Sequence, residues 1–319
     1  MKFKISEAPR VYKEFLTYLQ TIKSKSAATI SEYASDLNIF FKFMKMNFNL
    51  TNEKELNNID IKDLDIDFVK RIKLTDIYEY LSYMSTERNN SASTRSRKVA
   101  CLRSYFKYMT NKAKYLDDNP AKDLESPKIK QSLPKYLSLE ESKKLLSSVP
   151  KDENFARNYA IITLFLNCGM RLSELVNIDI NDIKEDIIVV TGKGNKERSL
   201  YLNKACKNAI IGYMKVRPVD NVKDKNALFL SKRLQRISNK TVQWLIKKCF
   251  EAAGIDQEKY SVHKLRHTAA TLMYKYGNTD LRTLQEILGH EQLSTTQIYT
   301  HIDDSSKKSA MNNNPLADI

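Results

Sequence analysis

The chain is poor in the residues that build metal centres and disulfide frameworks. Its 319 residues include only four cysteines, four histidines, seven glycines and one tryptophan. The cysteines are widely spaced and form no C-x-x-C pair, which argues against both a zinc site and a disulfide framework. We therefore expect reduced, mostly buried thiols at Cys101, Cys168, Cys206 and Cys249.

Long hydrophobic runs are also missing. The longest mostly apolar stretch, residues 160–166, is far too short to cross a bilayer. Residues 1–10 lack the apolar segment of a signal peptide. With 42% hydrophobic and 29% charged residues, the composition is typical of a globular protein rather than a disordered one. We expect a cytoplasmic protein with no membrane span.

Positive charge is in excess along the whole chain, and the net charge is +15. Residues 1–130 hold 24 basic and 17 acidic residues, and residues 131–319 hold 29 and 21. Because both halves are basic, one interpretation is that both contact a polyanion. The other is that the protein is merely basic, and charge alone does not decide between them.

The first 125 residues show the apolar spacing of helices. The helices are predicted at residues 11–22, 27–44, 75–87 and 93–110, with Ser26 as the N-cap of the second. Residues 47–73 are polar and are predicted to form a loop with at most short helical pieces. Because Asn119-Pro120 ends the pattern, we predict a four-helix domain over residues 1–125.

A basic linker, residues 126–137, separates this unit from a second domain over residues 138–319, which includes a C-terminal tail. Its two prolines favour an extended backbone. Beyond it a helix is predicted to begin at Ser138, and helical patterns follow with one exception. The β-branched run at 187–190, a glycine-rich turn and the apolar alternation at 199–202 predict a β-hairpin.

Cleavage of a phosphodiester without a metal requires charge neutralisation on phosphate, a nucleophile and an acid for the leaving oxygen. Arg171, in C-G-M-R-L-S-E-L, follows Gly169 at a predicted helix start, and its planar guanidinium suits a phosphate. Glu174 lies one turn further on and is placed to orient Arg171. The alternative is an ordinary Arg–Glu pair on the surface.

The segment H-K-L-R-H-T places a histidine and an arginine on one helical face. His263 and Arg266 are three residues apart. His267 is four residues from His263, a spacing also found in metal sites, but no acidic residue accompanies it as in H-E-x-x-H. A phosphate therefore fits this face better than a cation, and a structural histidine is the alternative.

Three further positions are candidates for an acid, a phosphate donor and a nucleophile. Lys193, in T-G-K-G-N-K-E-R, lies in a turn whose glycines permit close approach to DNA, and Lys196 is a rival in the same turn. His290 follows Gly289, a predicted C-cap, and so projects just past a helix end. Tyr299 is one of 17 tyrosines, and nothing in its own segment marks it as a nucleophile.

In order, these segments resemble the tyrosine recombinases, or phage-type integrases, and especially their Xer-type branch. The matching motifs are G-M-R-L-S-E-L at 169–175, T-G-K-G-N-K-E-R at 191–198, H-x-L-R-H-T at 263–268, L-G-H at 288–290 and I-Y-T-H at 298–301. Residues 26–40, 119–121 and 126–140 also resemble the family, so that the likeness covers about residues 10–305. It implies a mainly α fold of two domains: a four-helix, SAM-like core-binding domain and a catalytic domain of mixed helices with a small β-sheet.

The resemblance also implies roles for the candidate residues. The scissile phosphate would be held by two arginines and two histidines: Arg171, His263, Arg266 and His290. His263 would also handle the proton of the tyrosine, and Glu174 would support the site. Lys193 would protonate the leaving 5′-oxygen, and Tyr299 would attack phosphorus to give a 3′-phosphotyrosyl link without metal, cofactor or ATP.

Both domains are expected to contact double-stranded DNA, as a C-shaped clamp joined by the linker. The candidate contacts come from the fourth helix, the linker and the hairpin: Arg95, Arg97, Lys98, Lys128, Lys130, Lys135, Lys196 and Arg198. The resemblance further implies a tetramer of one or two kinds of subunit on a specific inverted-repeat site in the nucleoid. Residues 311–319 would then dock on a neighbouring subunit.

Two rival functions remain open at this point. A type IB topoisomerase-like enzyme would use the same chemistry to relax DNA at a single site. A DNA-binding regulator would bind without cleaving. Among recombinases, chromosome-dimer resolution, integration or excision of mobile elements, and DNA inversion also stay open, because the residues that read bases cannot be identified from the sequence.

Overall fold

A computed structural model of the chain describes residues 4–129, 135–257, 259–277, 279–289 and 296. The chain divides into two compact units, residues 1–131 and 132–319, and the division falls within the predicted linker. The described residues are mainly helical with one small sheet, which confirms the predicted fold class. All four cysteines are buried and free, as expected. No helix in this part of the chain is long and apolar enough to span a bilayer.

The N-terminal unit contains the four predicted helices and a short fifth one. Their bounds are α1 (Arg10–Thr21), α2 (Ala27–Asn47), α3 (Ile66–Lys70), α4 (Leu74–Thr86) and α5 (Ala92–Asn111). Ser26 caps α2 as predicted, since its hydroxyl accepts from the Thr29 amide at 3.2 Å. The core is aromatic: the ring of Phe41 meets that of Tyr105 edge to face, with centroids 5.6 Å apart.

A buried ion pair joins α2 and α5. The Lys98 side chain is 4% exposed and its ammonium donates to Asp36 Oδ1 at 2.9 Å, and Arg97 contacts the other carboxylate oxygen. A buried lysine needs such a partner, because its charge loses hydration in the interior. Lys98 was predicted to contact DNA; its ammonium lies away from the surface, and we correct its role to that of a core ion pair.

The C-terminal unit is built around one nearly fully buried helix. The helices of this unit are α6 (Leu139–Ser147), α7 (Phe155–Cys168), α8 (Leu172–Asn177), α9 (Lys204–Met214), α10 (Asn239–Ala252), α11 (Val262–Tyr276) and α12 (Leu281–Leu288). Helix α7 is apolar on almost every side and lies against α9 and α11. The helix predicted to begin at Ser138 is present as α6, and Ser138 is its N-cap, with Glu141 completing a reciprocal capping box.

The predicted hairpin is present and is extended by a third strand. The strands β1 (Ile183–Lys184), β2 (Ile187–Thr191) and β3 (Glu197–Tyr201) form an antiparallel sheet in that order. Strand β1 was not predicted, because a strand of two residues is too short to show an alternation of apolar and polar side chains. Val190 lies opposite Arg198, and Ile188 lies opposite Leu200. Since side chains two apart in a strand share a face, Arg198 is on the same face as the buried Leu200.

Candidate active site

Gly169 and Arg171 shape the start of α8. Gly169 ends α7 in the left-handed conformation, with φ of +59°. A Cβ on Gly169 would lie 3.0 Å from Leu288 Cδ2, so glycine also allows α12 to approach closely. Arg171 is the N-cap of α8, and its amide donates to Glu174 Oε2 at 2.7 Å. The predicted bend and helix start are therefore confirmed.

Glu174 is a fully buried carboxylate surrounded by arginines. Arg171 Nη1 donates to Oε1 at 2.7 Å. Arg198 donates to both oxygens, at 2.7 and 2.8 Å. Arg266 Nη1 lies 4.0 Å from Oε2. Burial alone would raise the pKa of Glu174, but the hydrogen bonds and charge of Arg198 and Arg171 outweigh it and hold this pKa at about 2.

The C-terminal turn of α12, residues 287–289, accepts a hydrogen bond from each of the three arginines. The donors to its successive carbonyl oxygens are Arg198, Arg266 and Arg171, at 2.9, 2.5 and 3.0 Å. The last carbonyls of a helix have no intrahelical partner and carry partial negative charge, so that cations are favourable there. The last turn of α12 and the start of α8 are thereby joined by the same guanidinium groups.

The cluster keeps an excess of positive charge at a surface opening. Three guanidinium groups face one carboxylate, so that the cluster has a net positive charge and attracts an anion. Arg171 exposes 34% of its side chain, whereas Arg266 exposes only 3%. Arg171 is thus the accessible member, and Arg266 lies beneath the surface.

A cavity of about 540 Å³ opens beside this cluster, between α8, α10 and α11. Its lining includes Arg171, His263 and Arg266, so that three predicted catalytic residues share one cavity. Helix α10 adds polar groups that were not predicted: Asn239, Gln243 and Lys247. Their spacing of four residues along an amphipathic helix is the signal that would have placed them on one face.

His263 and His267 lie on one face of α11, with ring centroids 4.8 Å apart. Partial burial and the positive charges of Arg266, Lys264 and Arg171 lower the pKa of His263. Burial and the same kind of positive surroundings lower the pKa of His267 to about 4. A neutral imidazole accepts a proton, so that His263 at pH 7 is suited to act as a base.

The hairpin turn reaches the arginine cluster through Gly192. A Cβ on Gly192 would lie 3.5 Å from Glu174 Oε1 and 3.7 Å from Arg198 Nη1. Gly192, which directly precedes Lys193, therefore lies close to Glu174. The side chain of Lys193 lies outside the described residues.

Several other predicted residues also fall there. His290 and Tyr299 lie outside the described residues, as do Lys130 and the tail 311–319. Their predicted roles stay predictions.

The remaining candidate DNA contacts differ in exposure. Lys128, Lys135 and Lys196 are exposed. Arg198 is much less exposed than these lysines: only 14% of its side chain is accessible, and its guanidinium faces Glu174. We correct its role from a predicted DNA contact to a part of the arginine cluster. The alternation of residues 198, 200 and 202 is the signal that predicts this inward orientation.

On α5, Arg95 is partly buried and donates to Ser85 Oγ at 2.8 Å and to the Asn90 carbonyl. Arg97 is more exposed than Arg95 while it contacts Asp36. Arg97 is therefore the member of this group whose charge is better placed for an external anion.

Comparison with known proteins identifies the family. The model of the phage integrase family matches residues 135–306. The tyrosine recombinase XerC of Caldanaerobacter subterraneus subsp. tengcongensis is 56% identical over 311 residues, covering 97% of this chain and 88% of the relative. The XerC of Thermodesulfovibrio yellowstonii is 35% identical over 298 residues, covering 91% and 90%.

A solved structure shows the same fold. In the crystal structure of the XerH site-specific recombinase bound to palindromic difH substrate, a post-cleavage complex, the aligned part covers 98% of this chain and 99% of XerH, with a TM-score of 0.69 and 22% identity. The family match spans the whole arginine cluster, and the 56% identity extends over most of both chains. The chain therefore belongs to the phage integrase family, the tyrosine recombinases.

Proposed function

We propose that this site-specific tyrosine recombinase cuts and rejoins DNA through a covalent link to Tyr299. The observation that carries the proposal is the arginine cluster on Glu174. A partly exposed Arg171 and a buried Arg266 from this cluster share one cavity with His263, whose pKa is lowered by burial and by neighbouring positive charges. Such a site neutralises the charge of a phosphate and offers a proton acceptor. Attack by a phenol on phosphorus requires both.

In the proposed cleavage step the phenolic oxygen of Tyr299 forms a bond to phosphorus, and the bond from phosphorus to the 5′-oxygen breaks. His263 accepts the phenol proton, and Lys193 donates a proton to the leaving 5′-oxygen. The products are a 3′-phosphotyrosyl link and a free 5′-hydroxyl. A 5′-hydroxyl of another strand reverses the step, and because the covalent link conserves the bond energy, no ATP is consumed.

The arginines would carry most of the electrostatic stabilisation. A phenol with a pKa of about 10 is a poor nucleophile at neutral pH, so that positive charge at the phosphate must favour the transition state. The Arg266 guanidinium is held by the carbonyls of Gly169 and Leu288. Because the donors are already oriented, little reorganisation is needed when charge develops on the phosphate oxygens.

Binding to duplex DNA would rest on phosphate contacts from exposed cations. The exposed candidates among the described residues are Arg97 on α5, Lys128 and Lys135 in the linker, and Lys196 in the hairpin. We further propose a tetramer of one or two kinds of subunit on an inverted-repeat site, with residues 311–319 docking on a neighbour. Action on chromosomal or mobile-element DNA would place the enzyme in the cytoplasm, at the nucleoid.

The experiment that tests this function begins by trapping the covalent complex and sequencing the attached DNA. The site obtained is then placed once or twice, in direct repeat, on a supercoiled plasmid. A recombinase resolves the two-site plasmid into two circles. Relaxation of both plasmids without resolution would instead indicate a topoisomerase-like enzyme, and binding without any cleavage would indicate a regulator.

A further inference from the structure

We infer that Arg198 is a positioning residue that holds Arg171 and the two turns leading to Lys193 and His290 in place for strand cleavage. The inference rests on the proposed function and assigns it one more residue. Arg198 extends from β3 toward the interior of the C-terminal unit, and 14% of its side chain is exposed. Each of its three guanidinium nitrogens has an acceptor in the site.

Arg198 reaches Arg171 through the shared carboxylate. Glu174 Oε1 accepts from Arg171 Nη1 and from Arg198 Nη1, both at 2.7 Å. Glu174 Oε2 accepts from the Arg171 amide at 2.7 Å and from Arg198 Nη2 at 2.8 Å. Both oxygens are therefore fixed by a bidentate arginine, the geometry that orients a carboxylate most strongly. Without Arg198, Glu174 would lose one of the two hydrogen bonds on each oxygen, so that its carboxylate would hold Arg171 less rigidly.

Arg198 also hydrogen-bonds to the backbone of the last turn of α12, and its guanidinium lies near Gly192. A Cβ on Gly289 would lie 3.1 to 3.3 Å from Cδ, Nη1 and Nε of Arg198, and one on Gly192 would lie 3.7 Å from Nη1. Each of these glycines directly precedes a predicted catalytic residue, His290 or Lys193. The Nε hydrogen bond to the Ile287 carbonyl fixes the turn that contains Gly289. One guanidinium thus lies against two turns that are distant in sequence, each next to a predicted catalytic residue.

The position of Arg198 in the sheet explains how its guanidinium reaches Glu174 and the end of α12. Arg198 lies opposite Val190 and on the face of Leu200, both of which are buried. Its aliphatic part therefore lies along the apolar core of the sheet while its head reaches Glu174. A lysine at this position has one ammonium and lacks the planar fork, so that it cannot hold both carboxylate oxygens and the Ile287 carbonyl in the same geometry.

The test compares Arg198→Met and Arg198→Lys with wild type on a nicked suicide substrate, with enzyme in excess, well below the melting temperature. Arg236→Met is the matched control, because Arg236 is also partly buried and bridges two carboxylates, Asp179 and Asp224, at 2.5 and 2.9 Å. We expect single-turnover cleavage to fall about 100-fold in Arg198→Met and less in Arg198→Lys. Affinity for the DNA and its salt dependence should not change, and Arg236→Met should cleave at the wild-type rate when folded.

A second substrate separates the two parts of the inference. With sulfur in place of the bridging 5′-oxygen, the leaving thiolate needs no proton, so that a misplaced Lys193 no longer limits the rate. We expect this substrate to restore part of the Arg198→Met defect and to leave the remainder, which reports on Arg171 and His290. No restoration would remove Lys193 from the inference.

Two results would overturn the inference as a whole. In the first, Arg198→Met binds DNA more weakly but cleaves bound DNA at the normal rate. The slope of the logarithm of its binding constant against the logarithm of salt concentration (the salt slope) falls by about one, which indicates a lost phosphate contact. The other is cleavage per folded molecule equal to that of Arg236→Met, which indicates a structural role alone. Failure of the proposed function is distinguishable, because wild type itself would then form no covalent adduct.

Discussion

Arg171 and Glu174 meet twice within a single helical turn. The Arg171 amide donates to Glu174 Oε2 and its guanidinium donates to Oε1, both at 2.7 Å. The carboxylate therefore caps α8 and orients the arginine at the same time. The geometry depends only on a spacing of three residues, and it links the local fold of α8 directly to the phosphate site.

Replacement of Arg171 tests the phosphate clamp. Arg171→Ala should slow single-turnover cleavage at least about 100-fold, the effect of losing roughly 3 kcal/mol of transition-state stabilisation. DNA binding, followed by gel shift, should weaken far less, because many other phosphate contacts remain. Arg282→Ala is a suitable control, since Arg282 is an exposed arginine on α12 with a loose 3.9 Å contact to Glu286. Equal rates for the two variants would contradict the proposed role.

Glu174 should make the stability of the C-terminal unit sensitive to acid. Its folded-state pKa of about 2 lies below the ordinary value of 4.5, so that the carboxylate stabilises the fold above pH 4.5 and loses this contribution as pH falls toward 2. The full contribution is about 3 kcal/mol. Urea unfolding, followed by the single tryptophan, Trp244 in α10, measures it.

The matched variant for this measurement is Glu174→Gln. The free energy of unfolding of the wild type should fall between pH 5 and pH 2 by about 3 kcal/mol more than that of the variant. Parallel curves for the two proteins over this range would show that Glu174 does not have the lowered pKa described here.

His263 should determine the acid limb of the cleavage rate. The pKa of His263 is lowered from the ordinary histidine value of 6.5, so that most imidazoles are still neutral at pH 6.5. The function of His263 as a base is therefore lost only at lower pH. The single-turnover rate should thus have its acid midpoint below 6.5, and His263→Asn should remove this limb. His267→Asn serves as the control and should keep it. An acid midpoint above 6.5 that disappears in His263→Asn would contradict the account.

The Asp36–Lys98 pair should stabilise the N-terminal unit without contributing to DNA binding. Lys98→Met leaves the Asp36 carboxylate buried with only Arg97 beside it, and should cost about 3 kcal/mol of stability. The double variant Asp36→Leu with Lys98→Met should recover much of that loss. The exposed Lys107→Met is the control in thermal unfolding. A reduced salt slope for Lys98→Met with normal stability would restore the earlier prediction of a DNA contact.

Local spacing in the sequence predicts a large part of this site. The bend at Gly169, the pairing of Arg171 with Glu174 and the hairpin each depend on residues within 15 consecutive positions. Arg198 shows where such reasoning needs one more step. Its alternation with Leu200 predicts that Arg198 points inward. Only the fold shows that its guanidinium then meets Glu174 of α8.

Long-range pairs are the part that a single sequence does not reveal. Lys98 and Asp36 are separated by 62 positions, and no local pattern links them. A lysine in a basic helix start is ordinarily exposed, and its burial follows from how α2 and α5 pack. The polar residues of α10 that line the cavity were missed for the same reason, because their neighbours Arg171 and His263 are distant in sequence.

The identity of the nucleophile is tested most directly by locating the covalently bound DNA. After reaction with a suicide substrate, trypsin should release DNA attached to the peptide of residues 283–307, whose single tyrosine is Tyr299. One adduct is expected on that peptide in wild type and none in Tyr299→Phe. DNA attached to any other peptide, or an adduct that persists in Tyr299→Phe, would contradict it.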